Sequence, residues 1–277
     1  MLAQSAYGKS KVRLVKVSRR GDRHDLKDLT VNIRFEGDYD ESFTAGDNRD
    51  VLPTDTMKNT VYALAATHAI AEPETFGVVL ATHFLDRNRR LGRVRVDLSE
   101  HPWSRIILGD RESGKAFERA GAETRTATVQ SDRERQHVGA GVKRLVILKS
   151  AGSAFAGFLR DEYTTLAETH DRLLATSLTA MWRYAHHDLD FGPTWRAVRR
   201  TLVETFAEHD SQSVQHTLYA MAQAVLDCVD AVTDIRLVMP NRHHLPIDLS
   251  PFGLVNQNEI FVATTEPYGL IQATLRR

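Results

Sequence analysis

The sequence predicts an α+β fold in which antiparallel sheets are covered on one face by pairs of helices. Apolar residues alternate with polar ones at Leu29, Val31, Ile33 and Phe35, which is the period of a half-buried strand. Two helical patterns then follow one another directly before the next strand. The same order of elements occurs again in the second half of the chain. Hairpins that flank a helix pair favour an antiparallel sheet with its helices on one side.

The first half contains five predicted strands and two predicted helices. The strands are expected at residues 11–18, 29–35, 94–98, 103–108 and 124–129. The first helix is expected at residues 53–69. A second begins at Pro73, where Phe76, Leu80 and Phe84 share one face at helical spacing.

The second half repeats this order. Its strands are expected at residues 142–148, 178–184, 235–239, 259–263 and 270–275, and its helices at residues 193–208 and 214–229. We therefore expect two repeats, residues 1–138 and 139–277. The open edges of such sheets would be removed if copies of the chain joined edge to edge, so we expect an oligomer.

Composition excludes several classes of function. Lys plus Arg and Asp plus Glu are both 36 in the 277 residues, so no net charge attracts nucleic acid or a membrane surface. No run approaches the roughly 18 consecutive apolar residues of a membrane helix, and the N-terminus has no signal-peptide core. The single cysteine, Cys228, lies in an apolar helical run and is expected to be a buried, inert thiol. We expect a cytoplasmic protein.

Two motifs suggest a cofactor or metal and are better explained structurally. GDRESGKA, residues 109–116, matches the glycines and lysine of a phosphate-binding loop, but Ala116 replaces the Ser or Thr that would hold magnesium. We interpret it as a hairpin loop. The adjacent histidine pairs at 186–187 and 243–244 would point to opposite faces of a strand, so neither pair favours a metal site.

The stretch VLPTDTMKNTVYALA, residues 51–65, has two interpretations. Thr54 and Asp55 precede an apolar helical pattern, which is typical of N-cap residues that accept hydrogen bonds from the first turn. The same polar residues at the positive end of a helix could instead contribute to an anion site.

Several blocks together resemble the urate oxidase (uricase) family. They are SAYGKSKVRLVKV at 5–17, PTDTMKNTVYALA at 53–65, LKSAGSAFAGFLRDEYTTLAETHDRLLAT at 148–176, SQSVQHTLYAMA at 211–222, MPNRHHLPIDL at 239–249 and NEIFVATTEPYGLIQATLRR at 258–277. The blocks occur in the family order and cover nearly the whole chain. Each alone is weak, but the set is specific.

The resemblance implies a tandem T-fold, in which each repeat is an antiparallel sheet backed by a helix pair. It implies a homotetramer whose sheets close into a barrel-like tunnel, with active sites at subunit interfaces. The implied reaction, a step of purine catabolism, oxidises urate with dioxygen and water to 5-hydroxyisourate and hydrogen peroxide. The family needs neither metal nor organic cofactor.

The resemblance also implies substrate-binding residues in the second half. Arg172 matches the arginine that anchors urate, and a guanidinium offers two parallel donors to a purine anion. Gln215 matches the glutamine that reads an edge with both a donor and an acceptor. Phe155 matches the aromatic that stacks on the purine. Val214 and Ile271 match positions that contact the ring, although both could simply be core residues.

The implied catalytic residues come from both halves. Lys9 and Thr54 match a dyad in which a lysine takes a proton from the threonine hydroxyl. His243 matches the histidine that completes this proton relay, and Asn241 matches the residue that holds dioxygen above the ring. Asp55 matches a carboxylate beside the dyad, where it orients donors or merely caps the helix.

Small departures and two alternatives stay open. Ala151 replaces a hydroxyl residue, and His244 stands where an aromatic is common; neither change removes an implied role. The chain lacks the S-K-L ending of a peroxisomal protein, which favours a bacterial-type cytoplasmic enzyme. The first alternative is a zinc-dependent T-fold enzyme that acts on a pterin or purine. The second is a purine-binding or scaffold protein without activity.

Overall fold

The computed structural model describes residues 2–277, which separate into two units. The first unit runs to Gly141 and includes Arg183–Trp195. The second unit comprises Val142–Trp182 and Arg196–Arg277. Two strands and one helix begin in one unit and end in the other.

The first unit is built on antiparallel strands in the order β1-β2-β3-β6. Their bounds are β1 Tyr7–Arg20, β2 Arg23–Gly37, β3 Leu91–Glu100 and β6 Thr124–Asp132. Strand β2 begins six residues before the predicted Leu29, because its first part is polar and only the buried part alternates. Val31, Ile33 and Phe35 are buried on the face that the helices cover.

Helices α1 (Asp40–Thr44), α2 (Thr54–Thr67) and α3 (Pro73–Arg87) belong to this unit. Helix α2 packs against β1, and α3 packs against β3 and β6. A side chain at Gly77 would place its Cβ 2.7 Å from Val129 and 2.9 Å from Leu98, so glycine allows α3 to lie close to the sheet. The prediction of two helices backing antiparallel strands is confirmed here, while the short α1 was missed.

The GDRESGKA motif forms a hairpin rather than a phosphate-binding loop. Strands β4 (Trp103–Leu108) and β5 (Arg111–Arg119) pair antiparallel around a turn in which Gly109 has a φ of 64°. A Cβ at Gly114 would lie 2.1 Å from the Asp22 carbonyl oxygen, which explains the second glycine. The hairpin prediction is thus confirmed in outline, but most of the motif is strand.

The buried carboxylate of Asp28 ties this hairpin to the sheet. Asp28 is 3% exposed and accepts hydrogen bonds from Trp103 Nε1 at 3.0 Å and from Arg119 Nη1 at 3.1 Å. The Arg13 guanidinium also donates to it. One carboxylate therefore links strands β1, β2, β4 and β5.

The second unit is built on strands that follow one another in the order β7-β8-β9-β12. The strands are β7 Gln136–Lys149, β8 Leu174–Tyr184, β9 Val232–Arg242 and β12 Gly269–Arg276, and the helices are α4 Phe191–Glu208 and α5 Val214–Cys228. Helix α5 packs on β9 and β12, which pair antiparallel. A ribbon of β10 (His244–Pro246) and β11 (Phe261–Ala263) and a 3₁₀ turn at Ser250–Phe252 follow β9.

The expectation for Cys228 is wrong. It is the last residue of α5, and it is exposed because the buried face of the helix is carried by Leu218, Met221 and Val225. In residues 2–277, no helix has the length and apolarity needed to cross a membrane.

Candidate functional site

A cavity of about 430 Å³ lies in the second unit, within the range of about 300–1,000 Å³ of small-molecule pockets. Seven of the ten predicted site residues line it: Phe155, Arg172, Val214, Gln215, Asn241, His243 and Ile271. Residues separated by more than a hundred positions thus line the same cavity. The other three, Lys9, Thr54 and Asp55, belong to the first unit.

The sheet supplies Asn241 and Ile271. Asn241 lies opposite Gly269 and Ile271 lies opposite Met239 in the antiparallel pair β9 and β12. Residues directly opposite share a face, and alternate residues on a strand do too, so both side chains lie on the face of buried Met239. Gly269 has no side chain to compete with them for this space.

The first turn of α5 supplies Val214 and Gln215. Ser213 is the N-cap, and its hydroxyl accepts a hydrogen bond from the backbone N–H of His216 at 3.1 Å. Val214 is 3% exposed and Gln215 is exposed, so one residue anchors the helix and the other presents its amide. The positive end of the helix dipole lies at this point and favours an anion.

The segment between β7 and β8 supplies Phe155 and Arg172. Phe155 and Thr169 form an isolated antiparallel bridge, with Phe155 N–H donating to Thr169 at 2.7 Å and Thr169 N–H donating to Phe155 at 3.1 Å. Arg172 follows three residues later, and its Cζ lies 5.3 Å from the Phe155 ring centroid. The bridge therefore brings the aromatic ring and the guanidinium together.

Arg172 carries a buried donor for which the described part of the chain supplies no acceptor. Its Nε is buried and has no hydrogen-bond partner among residues 2–277. Burial lowers the pKa of Arg172 from its ordinary value, since desolvation disfavours the charged form. A buried cationic donor without a partner is costly unless something else supplies an acceptor. The structure thus points to an anionic or strongly accepting ligand.

Phe158, which the sequence analysis did not single out, packs on Phe155 without itself lining the cavity. Its ring stacks on Phe155 with a centroid distance of 4.9 Å and planes 14° apart, and Arg160 Cζ lies 5.0 Å from its centroid. Gly157, with a φ of 69°, turns the chain so that Phe158 returns to Phe155. The glycine between the two aromatic residues was the available signal.

His243 is the residue between β9 and β10, and His244 is the first residue of β10. The carbonyl of His243 accepts from Thr264 N–H at 2.9 Å and from Thr264 Oγ1 at 3.3 Å. His244 Nδ1 lies 3.2 Å from the Arg242 carbonyl oxygen, so this nitrogen carries the hydrogen. His244 also lines the cavity, although it was not among the predicted site residues.

Further lining residues come from loops and from the β10–β11 ribbon, without a chemical motif. They include Leu166, Thr169, Leu245, Asn258 and Phe261. Asn258 has a φ of 64°, which asparagine tolerates better than most residues. Nothing in their local sequence marked them, because only the fold brings them to the cavity.

In the first unit, a β-bulge places Lys9. Lys9 lies opposite Ile33 and Val12 lies opposite Val31, so β1 has one extra residue between these pairs. Ile33 and Val31 are buried, and opposite residues share a face, so Lys9 and Val12 both point toward the helix-covered side. Lys9 is half-buried there, on the strand against which α2 packs.

The capping interpretation of Thr54 and Asp55 is wrong. The N-cap of α2 is Pro53, which makes no side-chain cap, and Thr54 is the first helical residue. The exposed Asp55 accepts from Lys58 Nζ and from Asn59 Nδ2, at 3.0 Å for the latter. These contacts lower the pKa of Asp55, chiefly through the Lys58 hydrogen bond, with smaller contributions that include the charge of Lys9.

Within residues 2–277, no group of three or more His, Cys, Asp or Glu side chains is arranged to hold a metal ion. The convergent ligands that the zinc-dependent alternative requires are therefore not assembled in the described part of one chain.

Comparison with known proteins identifies the family of this chain. The uricase family model matches residues 5–130 and 138–272. A uricase from Arthrobacter globiformis is 43% identical over 277 residues, covering 100% of this chain and 90% of that protein. A uricase from Oryctolagus cuniculus is 36% identical over 281 residues, covering 99% and 94%. The crystal structure of the Arthrobacter globiformis uricase matches with a TM-score of 0.96, covering 100% of this chain and 95% of that one. The chain belongs to the uricase family.

Proposed function

We propose that this protein is a urate oxidase, which converts urate, dioxygen and water to 5-hydroxyisourate and hydrogen peroxide without a metal or organic cofactor. Membership of the uricase family supports this activity. The site residues proposed are Lys9, Thr54 and His243 for catalysis and Thr54, Asp55, Phe155, Arg172, Val214, Gln215, Asn241 and Ile271 for substrate binding.

The observation that carries the proposal is the buried Nε of Arg172, which has no hydrogen-bond partner among residues 2–277. This donor needs an acceptor, and the cavity that Arg172 lines has the volume of a small-molecule site. The urate anion offers a carbonyl oxygen and a ring nitrogen side by side, which suits two parallel N–H donors. Binding this anion removes the cost of the buried unpaired donor.

The neighbouring groups suit the rest of a planar purine. Gln215 both donates and accepts, so it can read an edge that does the same. Phe155 lines the cavity beside Arg172, and we assign to it the aromatic contact with the purine, worth about 0.5–1.5 kcal/mol beyond burial. Val214 and Ile271 close the cavity with apolar surface, which strengthens these polar contacts by excluding water.

The chemistry requires proton removal and electron transfer. The Thr54 hydroxyl takes a proton from urate and passes its own to Lys9, and His243 exchanges protons with the same relay. The electron-rich anion gives one electron to dioxygen held by Asn241, and the two radicals join at C5. The relay returns its proton to the C5 peroxide, the C5–O bond breaks to release hydrogen peroxide, and water then adds its hydroxyl at C5 and its other hydrogen at a ring nitrogen. The two electrons and two hydrogens lost overall reside in the peroxide.

We further propose that residues 1–138 and 139–277 are tandem T-folds and that four copies form a barrel-like tunnel in the cytoplasm. Among residues 2–277, strands β1 and β12 each have one side without a partner strand, which offers an edge to another copy. Leu159 and Tyr163 are 95% and 82% exposed, as expected of side chains that a neighbouring subunit would cover. Each active site would combine the first unit of one copy with the second unit of another.

Aerobic turnover tests the function. Purified protein should consume urate, followed by its ultraviolet absorbance, and release one peroxide per urate, with the same rate after chelator treatment. Loss of activity with the chelator and recovery with zinc would support the zinc-dependent alternative. Binding of urate without consumption of oxygen would support the non-catalytic alternative.

Mixed oligomers test the two-copy site. Thr54→Ala and Arg172→Ala chains, each inactive alone, should regain about a quarter of wild-type activity when mixed equally and reassembled, because random pairing restores one site in four. A site confined to one chain would give no recovery in hetero-oligomers verified by mass.

A further inference from the structure

Ser211 joins two segments that contribute to the cavity. It forms a parallel bridge with Ser153, in which Ala154 N–H donates to Ser211 at 2.7 Å and Ser211 N–H donates to Gly152 at 3.0 Å. Phe155 follows one segment directly, and Gln215 lies four residues beyond Ser211 on the other. The geometry of this joint therefore sets the distance between the ring and the amide.

A buried pair of hydroxyl groups stabilises this junction between the two segments. Thr217 Oγ1 donates to Ser211 Oγ at 2.7 Å, and Ser211 Oγ donates to the Ser213 carbonyl oxygen at 3.0 Å. Thr217 and Ser211 are both 0% exposed. Neither residue lines the cavity, so the pair acts on the site only through the backbone that it fixes.

A third hydrogen bond joins Thr217 to His209, and its direction follows from the number of hydroxyl hydrogens available. Each hydroxyl has one hydrogen, and both hydrogens are already used, so Thr217 Oγ1 can only accept from His209 Nδ1 at 3.3 Å. His209 therefore carries its hydrogen on Nδ1. Burial, followed by the charges of His216 and Lys149, lowers the pKa of His209. The chain of bonds runs from the end of α4 to the N-cap of α5.

We propose that the Thr217–Ser211 hydroxyl pair positions Gln215 against Phe155 and so sets the affinity for the planar substrate. The inference rests on the proposed function, since it concerns the same site. Thr217 and Ser211 are positioning residues, because neither touches the cavity. The rotation of α5 and the offset of residues 152–155 would both change without them.

The test is the dissociation constant of urate itself, measured by difference absorbance without oxygen so that no turnover occurs. Thr217→Val keeps the shape but removes the donor to Ser211 and the acceptor of His209. The constant should rise about tenfold, since a buried hydrogen bond is lost and its partners are left unpaired. In aerobic assays KM should rise similarly, whereas kcat should change less than about threefold, because the Lys9–Thr54 dyad is untouched. Thr217→Ser should restore the wild-type dissociation constant and KM.

Thr176→Val is the matched control. Thr176 is also a 0% exposed threonine of the second unit, but its hydroxyl has no partner among residues 2–277. This variant should bind urate as tightly as the wild type. Equal affinity of Thr217→Val and Thr176→Val, or failure of folded Thr217→Ser to restore binding, would overturn the inference. Ser211→Ala, which removes the bond from Thr217 and the bond to the Ser213 carbonyl oxygen, provides the measurement if Thr217→Val does not fold. A wild type that binds no urate would contradict the proposed function instead.

Discussion

Replacing Arg172 by lysine separates charge from geometry at the proposed anion site. Lysine keeps the positive charge but has no Nε donor, so the buried atom that lacks a partner disappears together with the second parallel hydrogen bond. Its ammonium also cannot lie flat against the ring of Phe155, over which the guanidinium lies at 5.3 Å. If planar recognition matters, this conservative change should be severe.

The expected magnitude is that of the one hydrogen bond to urate that lysine cannot make. A charge-assisted hydrogen bond is worth about 1.5–3 kcal/mol, and the remaining charge preserves the other. The dissociation constant of urate should therefore rise between about tenfold and 150-fold. The stability of the unliganded protein, in contrast, should not fall. Removing an unsatisfied buried donor should leave the free energy of unfolding unchanged or slightly higher.

The assay is an anaerobic urate titration together with a urea denaturation curve for each variant. Arg200→Lys is the control, because Arg200 is a 71% exposed residue of α4 with a long 4.0 Å contact to Glu204. The control should change affinity less than about twofold, as expected for a surface ion pair. Wild-type affinity in Arg172→Lys would refute the assignment of this guanidinium to the substrate.

Three further predictions concern stability. Asp28→Ala should lower the free energy of unfolding by about 1–3 kcal/mol, because the donors on three neighbouring strands lose their shared acceptor. Asp22→Ala, which removes a surface ion pair, is the control and should have no measurable effect. Gly114→Ala should cost about 1–3 kcal/mol because its Cβ would meet a carbonyl oxygen at 2.1 Å, and Gly92→Ala, whose nearest contact is 3.5 Å, should be tolerated. The pKa of His209 is lower in the folded protein than in the unfolded chain. The stability that neutral His209 adds to the folded state is therefore fully present above about pH 6.5 and is lost as the pH falls through the folded-state pKa. His209→Asn keeps a donor but cannot titrate, and its urea midpoint should fall less on acidification; an equal fall would contradict this assignment.

Periodicity predicted the elements whose one face is buried. Val31, Ile33 and Phe35 alternate because β2 has one face on the core, and helices α3 and α5 carry apolar stripes for the same reason. Strand β5 was missed because it has charged residues on both faces and mostly exposed positions. An exposed hairpin strand has no hydrophobic pattern to detect.

Local chemistry was a poorer guide at the ends of helices. Thr54 has the side chain of a good N-cap, yet Pro53 occupies that position and Thr54 begins the helix. A shift of one residue in the start of the helix decides whether Thr54 caps the helix or belongs to its first turn, and composition does not determine where the helix starts. Cys228 illustrates the same limit, since an apolar run does not say which residue turns to solvent at the last turn.

The placement of Lys9 shows most clearly what the sequence alone could not reveal. Lys9 and Val12 are three residues apart, so regular alternation would put them on opposite faces of β1. The bulge reverses this: Lys11 takes a φ of 57°, and its N–H donates to Asn32 Oδ1 at 2.8 Å, on the neighbouring strand. A lysine in the left-handed region costs about 1–2 kcal/mol, and the glycine of β1 is at Gly8, outside the bulge, so it does not mark the position of Lys11. That local strain keeps Val12 in the core while turning Lys9 to the helix-covered face, so one inserted residue lets a structural strand carry a candidate catalytic side chain.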